Sequence, residues 1–303
     1  MPVKVGVIGV GYLGRHHARI YSEIEEAELI AVVDIDKTKA DALAKEYNCN
    51  AIYDYREIID RVDALSIVTP TTNHYSIAYE CLRAGKDLLI EKPITETVEE
   101  AEELIKLSKE KGCIIQVGHL ERFNPAILSA AELITEPLFI ESERMSPFLG
   151  RATDVDVTLD LMIHDIDIIL SLIDVSVKDI KAVGAKVLTE KIDVAKAWLD
   201  FENGCTALST VSRLSPEKRR VLKIFQKESY IAIDYQQSEI THYYMSGEKM
   251  LSEVIRPEKK EPLKEELKDF LHCVKNRKRP RVSAKEGKNA LEVVLKINEM
   301  IRS

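Results

Sequence analysis

An apolar run, Val3 to Ile8, leads into a turn punctuated by Gly9, Gly11 and Gly14, and a helix-compatible segment follows at once. G-x-G-x-x-G between a strand and a helix constrains the fold more than any other stretch of the chain, because each glycine answers a separate steric need. Gly9 allows the tight turn, Gly11 lets the backbone approach a pyrophosphate that a side chain would block, and Gly14 lets the helix lie close to the strand. The phosphates then meet the positive end of the helix. Gly9, Gly11, Tyr12, Leu13 and Gly14 are therefore expected to contact a dinucleotide. A second apolar run, Leu29 to Val33, ends in Asp34, twenty residues beyond Gly14. A carboxylate there accepts hydrogen bonds from the adenosine ribose hydroxyls and repels a 2′-phosphate, so NAD is expected over NADP. Asp36, close by, reads as a helix cap. The bland alternative is a glycine turn in some other α/β domain.

A chain of 303 residues is long for one core and suits two domains. No apolar stretch approaches the roughly 18 residues of a membrane span, and the start, Met1 to Lys4, leaves no room for a signal peptide, so the cytoplasm is the expected location. Five widely spaced cysteines read as reduced, buried thiols. The net charge of −8 argues against nucleic-acid binding, which needs a basic face. The one basic run, Lys275 to Arg281, reads as a solvated helix end.

From residue 3 to about 118, short apolar runs alternate with amphipathic helical patterns, as in βαβ units building a parallel sheet. Ala64 to Val68 has no polar alternation, which suits a central strand, and it ends in Thr69-Pro70 at the edge where open α/β sheets bind ligands. Beyond Gly118 a helix is predicted over about 157–172, and strand patterns then dominate, with Asn203-Gly204 suited to a two-residue hairpin turn. The fold class is thus α/β: a doubly wound NAD-binding domain over 1–118 and a substrate and oligomerisation α+β domain over 119–303, with an open, mostly antiparallel sheet. The C-terminal helix could pack back on the first domain. Alternation around Trp198 leaves one sheet face partly apolar, which suggests a homodimer or homotetramer joined through that face.

Two places could carry chemistry. Glu91-Lys92-Pro93 follows the fifth strand at the same edge as the glycine turn, and a lysine there can stabilise a developing alkoxide. A solvated loop lysine is the alternative. Asp160 and His164, four apart on an otherwise apolar predicted helix, would project together as a general base and its partner. A structural His–Asp contact is the alternative. His16, His17, His119, His242 and His272 show no spacing that suggests a metal site and read as structural or surface residues.

Together the glycines, Thr69-Pro70 with His74, Glu91-Lys92-Pro93 and Asp160-x-x-x-His164 resemble the Gfo/Idh/MocA family of sugar and cyclitol oxidoreductases over essentially the whole chain. The resemblance implies hydride transfer between a nicotinamide and a carbinol carbon. It implies that Lys92 and His164 are catalytic, that Asp160 binds substrate, and that Glu91, Lys92, Thr69, Pro70, Thr71 and His74 join the cofactor site. Thr71 departs from the asparagine found in many members. The segment Gly118 to Pro125, with Arg122 and Asn124 as substrate contacts, looks like that of members making 3-keto UDP-sugars, which implies UDP-N-acetylglucosamine. Arg122, Arg144, Arg151 and Arg213, at or near loop positions, are read as cations for a diphosphate, with surface ion pairing as the alternative. A free-sugar or inositol dehydrogenase and a non-catalytic NAD-binding regulator are the rival readings.

Overall fold

The computed structural model describes residues 1–150 and 153–303, so Arg151 lies outside the described residues. The chain divides into two compact units: Met1–Leu120 with Glu261–Lys288, and Glu121–Lys260 with Asn289–Ser303.

The first unit alternates strand and helix: β1 (Val3–Ile8), α1 (Gly14–Glu23), β2 (Ala27–Val33), α2 (Lys37–Tyr47), β3 (Asn50–Ile52), β4 (Ala64–Ile67), α3 (His74–Arg83), β5 (Asp87–Glu91), α4 (Val98–Lys111) and β6 (Ile115–Gly118). The strands form one parallel sheet in the order β3-β2-β1-β4-β5-β6. Strand order reverses between β1 and β4, so the loops leaving these two strands face a crevice at the carboxyl edge of the sheet. β4 and β5 are buried throughout, as strands covered on both faces must be. The one polar side chain in β4, Ser66, is satisfied by Tyr21 Oη at 2.8 Å. Local signals set the helix ends. Asp36 accepts from the Thr38 and Lys39 amides to cap α2, and Thr97 with Glu100 forms a capping box on α4, which stops at left-handed Gly112.

The second unit contains α5 (Pro125–Ala131), β7 (Pro137–Met145), a π-helical turn over Thr158–Met162, α6 (Ile163–Leu172), β8 (Val177–Ala185), β9 (Val194–Phe201), β10 (Thr206–Ser212), β11 (Arg219–Gln226), β12 (Ser229–Asp234), β13 (Glu239–Ser246) and β14 (Lys249–Ile255). Its eight strands run in the order β14-β13-β12-β11-β7-β10-β9-β8, antiparallel except for the β7–β10 pair. Sequence periodicity missed β7, a central strand, because two of its inward positions are Ser142 and Arg144. The predicted helix over 157–172 is present, with a π-helical first turn over Thr158–Met162 and regular α-helix from Ile163 to Leu172. The hairpin between β9 and β10 uses three residues instead of two: the Gly204 amide donates to the Phe201 carbonyl, and Gly204 then adopts φ +86° before β10 begins.

The chain ends with α7 (Pro262–Asn276) and α8 (Ala284–Arg302), and the division between the units falls within α8. α7 belongs to the first unit, where Leu263, Leu267 and Phe270 join the core of Val3, Val5, Val7 and Ile20. Among the described residues no helix is long and apolar enough to cross a membrane.

A Cβ on Gly14 would sit 1.9 Å from the Gly9 carbonyl oxygen, whereas one on Gly11 would meet nothing within 4 Å. Gly14→Ala is therefore expected to lower stability by about 1–3 kcal/mol through forced backbone displacement. Gly11→Ala is expected to stay within about 0.5 kcal/mol. Urea unfolding of the two variants checks this, and equal midpoints would refute the steric account.

Candidate active site

At the reversal point of the first sheet the glycine turn is built as the motif demands. Gly9 has φ +89°, and a Cβ on it would stand 2.6 Å from the Val68 carbonyl oxygen. Gly11 faces open space. Beside it lies a cavity of about 770 Å³ whose lining includes Gly9, Gly11, Asp34, Thr69 and Pro70. These five expected cofactor residues are thus brought together around a space large enough for a nucleotide. Asp34 is fixed by two main-chain donors, with Oδ2 2.9 Å from Val10 N and Oδ1 2.9 Å from Asp36 N. The same cavity is lined by Lys39, Tyr53, Arg56 and Asn73, which the sequence reading missed. Both cations there already have carboxylate partners: Arg56 forks onto Asp54 and Lys39 reaches Asp36.

Other expected cofactor residues lie outside that lining. Tyr12 is exposed and packs edge-on against His16, Leu13 immediately precedes α1 and Gly14 begins it, and Thr71 opens a short 3-10 turn. Glu91 and His74, also expected at the cofactor site, are buried and do not line that cavity. Glu91 is buried with Oε1 3.2 Å from His17 Nε2, and a Cβ on Gly118 would fall 2.8 Å from its carboxylate. The His74 ring is buried against the carbonyls of Thr69 and Pro93. Lys92 follows β5 directly and is half-buried, next to a cis Lys92–Pro93 peptide.

In the second unit Asp160 lies in the π-helical turn and His164 is the second residue of α6, both half-buried. Next to His164 a buried charge network begins. Arg144, 2% exposed, forks onto Asp165 through Nε and Nη2 at 2.9–3.1 Å and reaches Glu121 through Nη1 at 3.1 Å. Arg220 faces Arg144 across the β7–β11 pair and shares Glu121 at 3.3 Å. Burial opposes ionisation of Glu121, but the two arginines outweigh it and hold the carboxyl below its ordinary value. Burial, then the neighbouring Arg144, lowers the Arg220 pKa.

The arginines expected to meet a diphosphate have partners within this unit. Arg144 is the penultimate residue of β7, and its charge is met by two carboxylates. Arg213 donates to the Val155 and Ile192 carbonyls beside Asp193. Arg122 pairs with Asp167 at 3.4 Å. Asn124, expected on substrate, caps α5 by accepting from Ala126 N and donates to Glu121. The partly exposed cation of the cluster is Arg220, the second residue of β11, which the sequence reading missed.

Comparisons with known proteins agree with this construction. Residues 3–119 match the oxidoreductase family GFO_IDH_MocA with its NAD-binding Rossmann fold, and residues 138–231 match the GFO/IDH/MocA C-terminal domain. The UDP-N-acetylglucosamine 3-dehydrogenase of Acidithiobacillus ferrooxidans is 34% identical, covering 99% of this chain and 98% of that one. Its solved structure superposes with a TM-score of 0.95 over the same shares of both chains. The scyllo-inositol 2-dehydrogenase (NAD(+)) of Bacillus subtilis is 28% identical, covering 99% of this chain and 94% of the relative.

Asp34 and the prior pairing of Lys39 and Arg56 together favour a ribose without a 2′-phosphate. The wild type should bind NAD more tightly than NADP, and Asp34→Ala should narrow the gap by about tenfold, since it removes roughly one charged hydrogen bond's worth of discrimination. Dissociation constants of both nucleotides at one salt concentration test this. Tighter NADP binding by the wild type would overturn it.

Proposed function

The chain belongs to the Gfo/Idh/MocA family of NAD-binding oxidoreductases, and from that premise we propose that it oxidises the 3-hydroxyl of UDP-N-acetylglucosamine to the 3-keto sugar. One observation carries the choice of substrate: the likeness to a UDP-N-acetylglucosamine 3-dehydrogenase extends over nearly the full length of both chains, in sequence and in fold. NAD bound along the glycine turn and Asp34 supplies the acceptor for the hydride that leaves the carbinol carbon. The open space at Gly11 and the cavity beside it fit such a ligand.

The chain's own residues then handle the proton and the developing charge. Lys92, at the carboxyl end of β5, donates to the substrate oxygen and stabilises the alkoxide character that grows as the C–H bond breaks. His164 accepts the hydroxyl proton, a task suited to an imidazole, whose neutral ring keeps one nitrogen lone pair. Asp160 holds a neighbouring hydroxyl or orients the imidazole. Arg144 and Glu121 act behind them by fixing Asp165, the residue after His164. The five cysteines are all free, which suits a reducing compartment such as the cytoplasm.

We also infer a homo-oligomer joined through the open face of the second sheet. Phe139, Phe225, Tyr230 and Tyr243 form a continuous row on that face, with ring centroids 4.7–5.7 Å apart. Trp198 on the same face is 39% exposed, and Lys223–Glu141 and Arg219–Glu143 pairs interrupt the apolar area. A second copy of the same face would bury the aromatics while the charges pair across it. Light scattering of a dilute sample should give a multiple of the chain mass, and Trp198→Glu should lower it. A monomeric wild type would remove this inference.

For the reaction, incubation with NAD and UDP-N-acetylglucosamine should give a product two hydrogens lighter by mass spectrometry. Lys92→Ala and His164→Ala should each lose about 10²–10⁴ in kcat while NAD affinity stays within a few-fold. Turnover confined to inositols or free hexoses would replace the proposed substrate, and absence of any turnover would favour a regulator. Wild-type kcat in either variant would remove the role given to that residue.

A further inference from the structure

The His74 ring, at the start of α3, is 1% exposed, and both of its nitrogens face main-chain carbonyls. Nδ1 is 2.9 Å from the Pro93 oxygen and Nε2 is 2.9 Å from the Thr69 oxygen. A carbonyl oxygen can only accept. A neutral imidazole has one N–H and one bare lone pair, so it satisfies one carbonyl and sets its lone pair against the other. Only the imidazolium donates to both. The two carbonyls belong to different loops at the carboxyl edge of the first sheet. Thr69 leaves β4 and lines the nucleotide-sized cavity, and Pro93 follows Lys92 after β5.

We propose that His74 is a positioning residue whose proton clasps the Thr69 and Pro93 loops together, and so couples nucleotide binding to the placement of Lys92 without touching substrate. The coupling rests on the reading of that cavity as the NAD site and of Lys92 as the alkoxide stabiliser. Charge around the ring comes chiefly from one carboxylate. Glu91 at the end of β5 acts on it, and Glu91 itself has His17 of α1 at 3.2 Å. β4 and the 3-10 turn Thr71–Asn73 carry no ionisable side chain. Asp87, at the far end of β5, is paired with Arg277. On α4, packed against α3, Glu102 and Glu103 are exposed, and Glu103 accepts from Tyr75 of α3 itself.

Burial pulls the His74 pKa below the ordinary histidine value, against the opposing pull of the Pro93 and Thr69 carbonyls and of Glu91. The sign of the pH effect follows. The clasp is complete while the ring is charged, and one arm is lost as pH rises through that lowered pKa.

Nitrogen NMR of the full-length protein with isotope-labelled histidine reads the ring directly, with the His74 signals assigned by their loss in His74→Gln and again in His74→Asn. On titration from about pH 5 to about pH 8, spanning the histidine range, both ring nitrogens should be protonated at the acid end. The midpoint should lie below the ordinary value of about 6.5 and rise when NAD is bound, because a ligand that favours the clasped form must by linkage favour the proton. NAD affinity should fall about fivefold across the same range, the equivalent of one ordinary hydrogen bond, and His74→Gln should bind weakly with no such fall. A ring that keeps one fixed N–H throughout overturns the proposal, as does a glutamine variant with wild-type pH dependence. The apo titration needs no cofactor, so it tests the clasp even if the NAD reading fails.

Discussion

The first unit depends on how closely α1 approaches the end of β1. With a hydrogen in place of a side chain, Gly14 lets the helix backbone meet the Gly9 carbonyl at a distance no Cβ could share. That approach brings the helix end to the edge of the sheet where the strand order reverses, the place at which an α/β sheet offers a crevice. Asp34 then ties the next strand end to the same turn through the Val10 amide. One steric requirement and one carboxylate thus bring the ends of β1 and β2 into a single wall of the cavity. Thr69 and Pro70, leaving β4, line the same cavity.

Charge organises the second unit in a comparable way. Arg144 and Arg220 face each other across two paired strands of its sheet, where like charges should repel. Glu121 bonds both, and Asp165 takes the fork of Arg144, so two cations and two anions close into a neutral group beneath the first turn of α6. Removing one member of such a group leaves an uncompensated buried charge, a loss of about 3–5 kcal/mol. The turn that presents His164 is therefore held by electrostatic pairing as well as by the apolar core formed by Ile163, Ile166 and Ile169.

These two foundations explain what the sequence could and could not reveal. Glycine spacing, Asp34 and Thr69-Pro70 were legible because their contacts are local or fixed by the strand that precedes them. The parallel sheet was legible because its buried strands are continuously apolar. β7 was hidden because its inward positions include Ser142 and Arg144, which belong to the charge group and invert the usual alternation. β14 was hidden because its residues are nearly all exposed at the sheet edge. Spacing also located Glu91 and His74 at the right edge but could not give the direction of their side chains. Their partners, His17 and the Pro93 carbonyl, lie 74 and 19 residues away in the chain.

The same limit applies to the arginines, with a consequence for substrate recognition. A diphosphate argument from composition counts cations near loops and assumes their charge is available. Here Arg144, Arg213 and Arg122 have carboxylates or carbonyls within 3.6 Å, so the charge that composition counts is neutralised inside the unit. Arg220 differs, since it is 35% exposed and shares its Glu121 partner with Arg144. An anionic ligand reaching this part of the second unit would compete with Glu121 for Arg220 far more readily than for Arg144, whose three short contacts to Asp165 would have to break first. Support for a nucleotide sugar therefore moves from the number of arginines to the full-length likeness of the chain and to the one cation that the network leaves partly open.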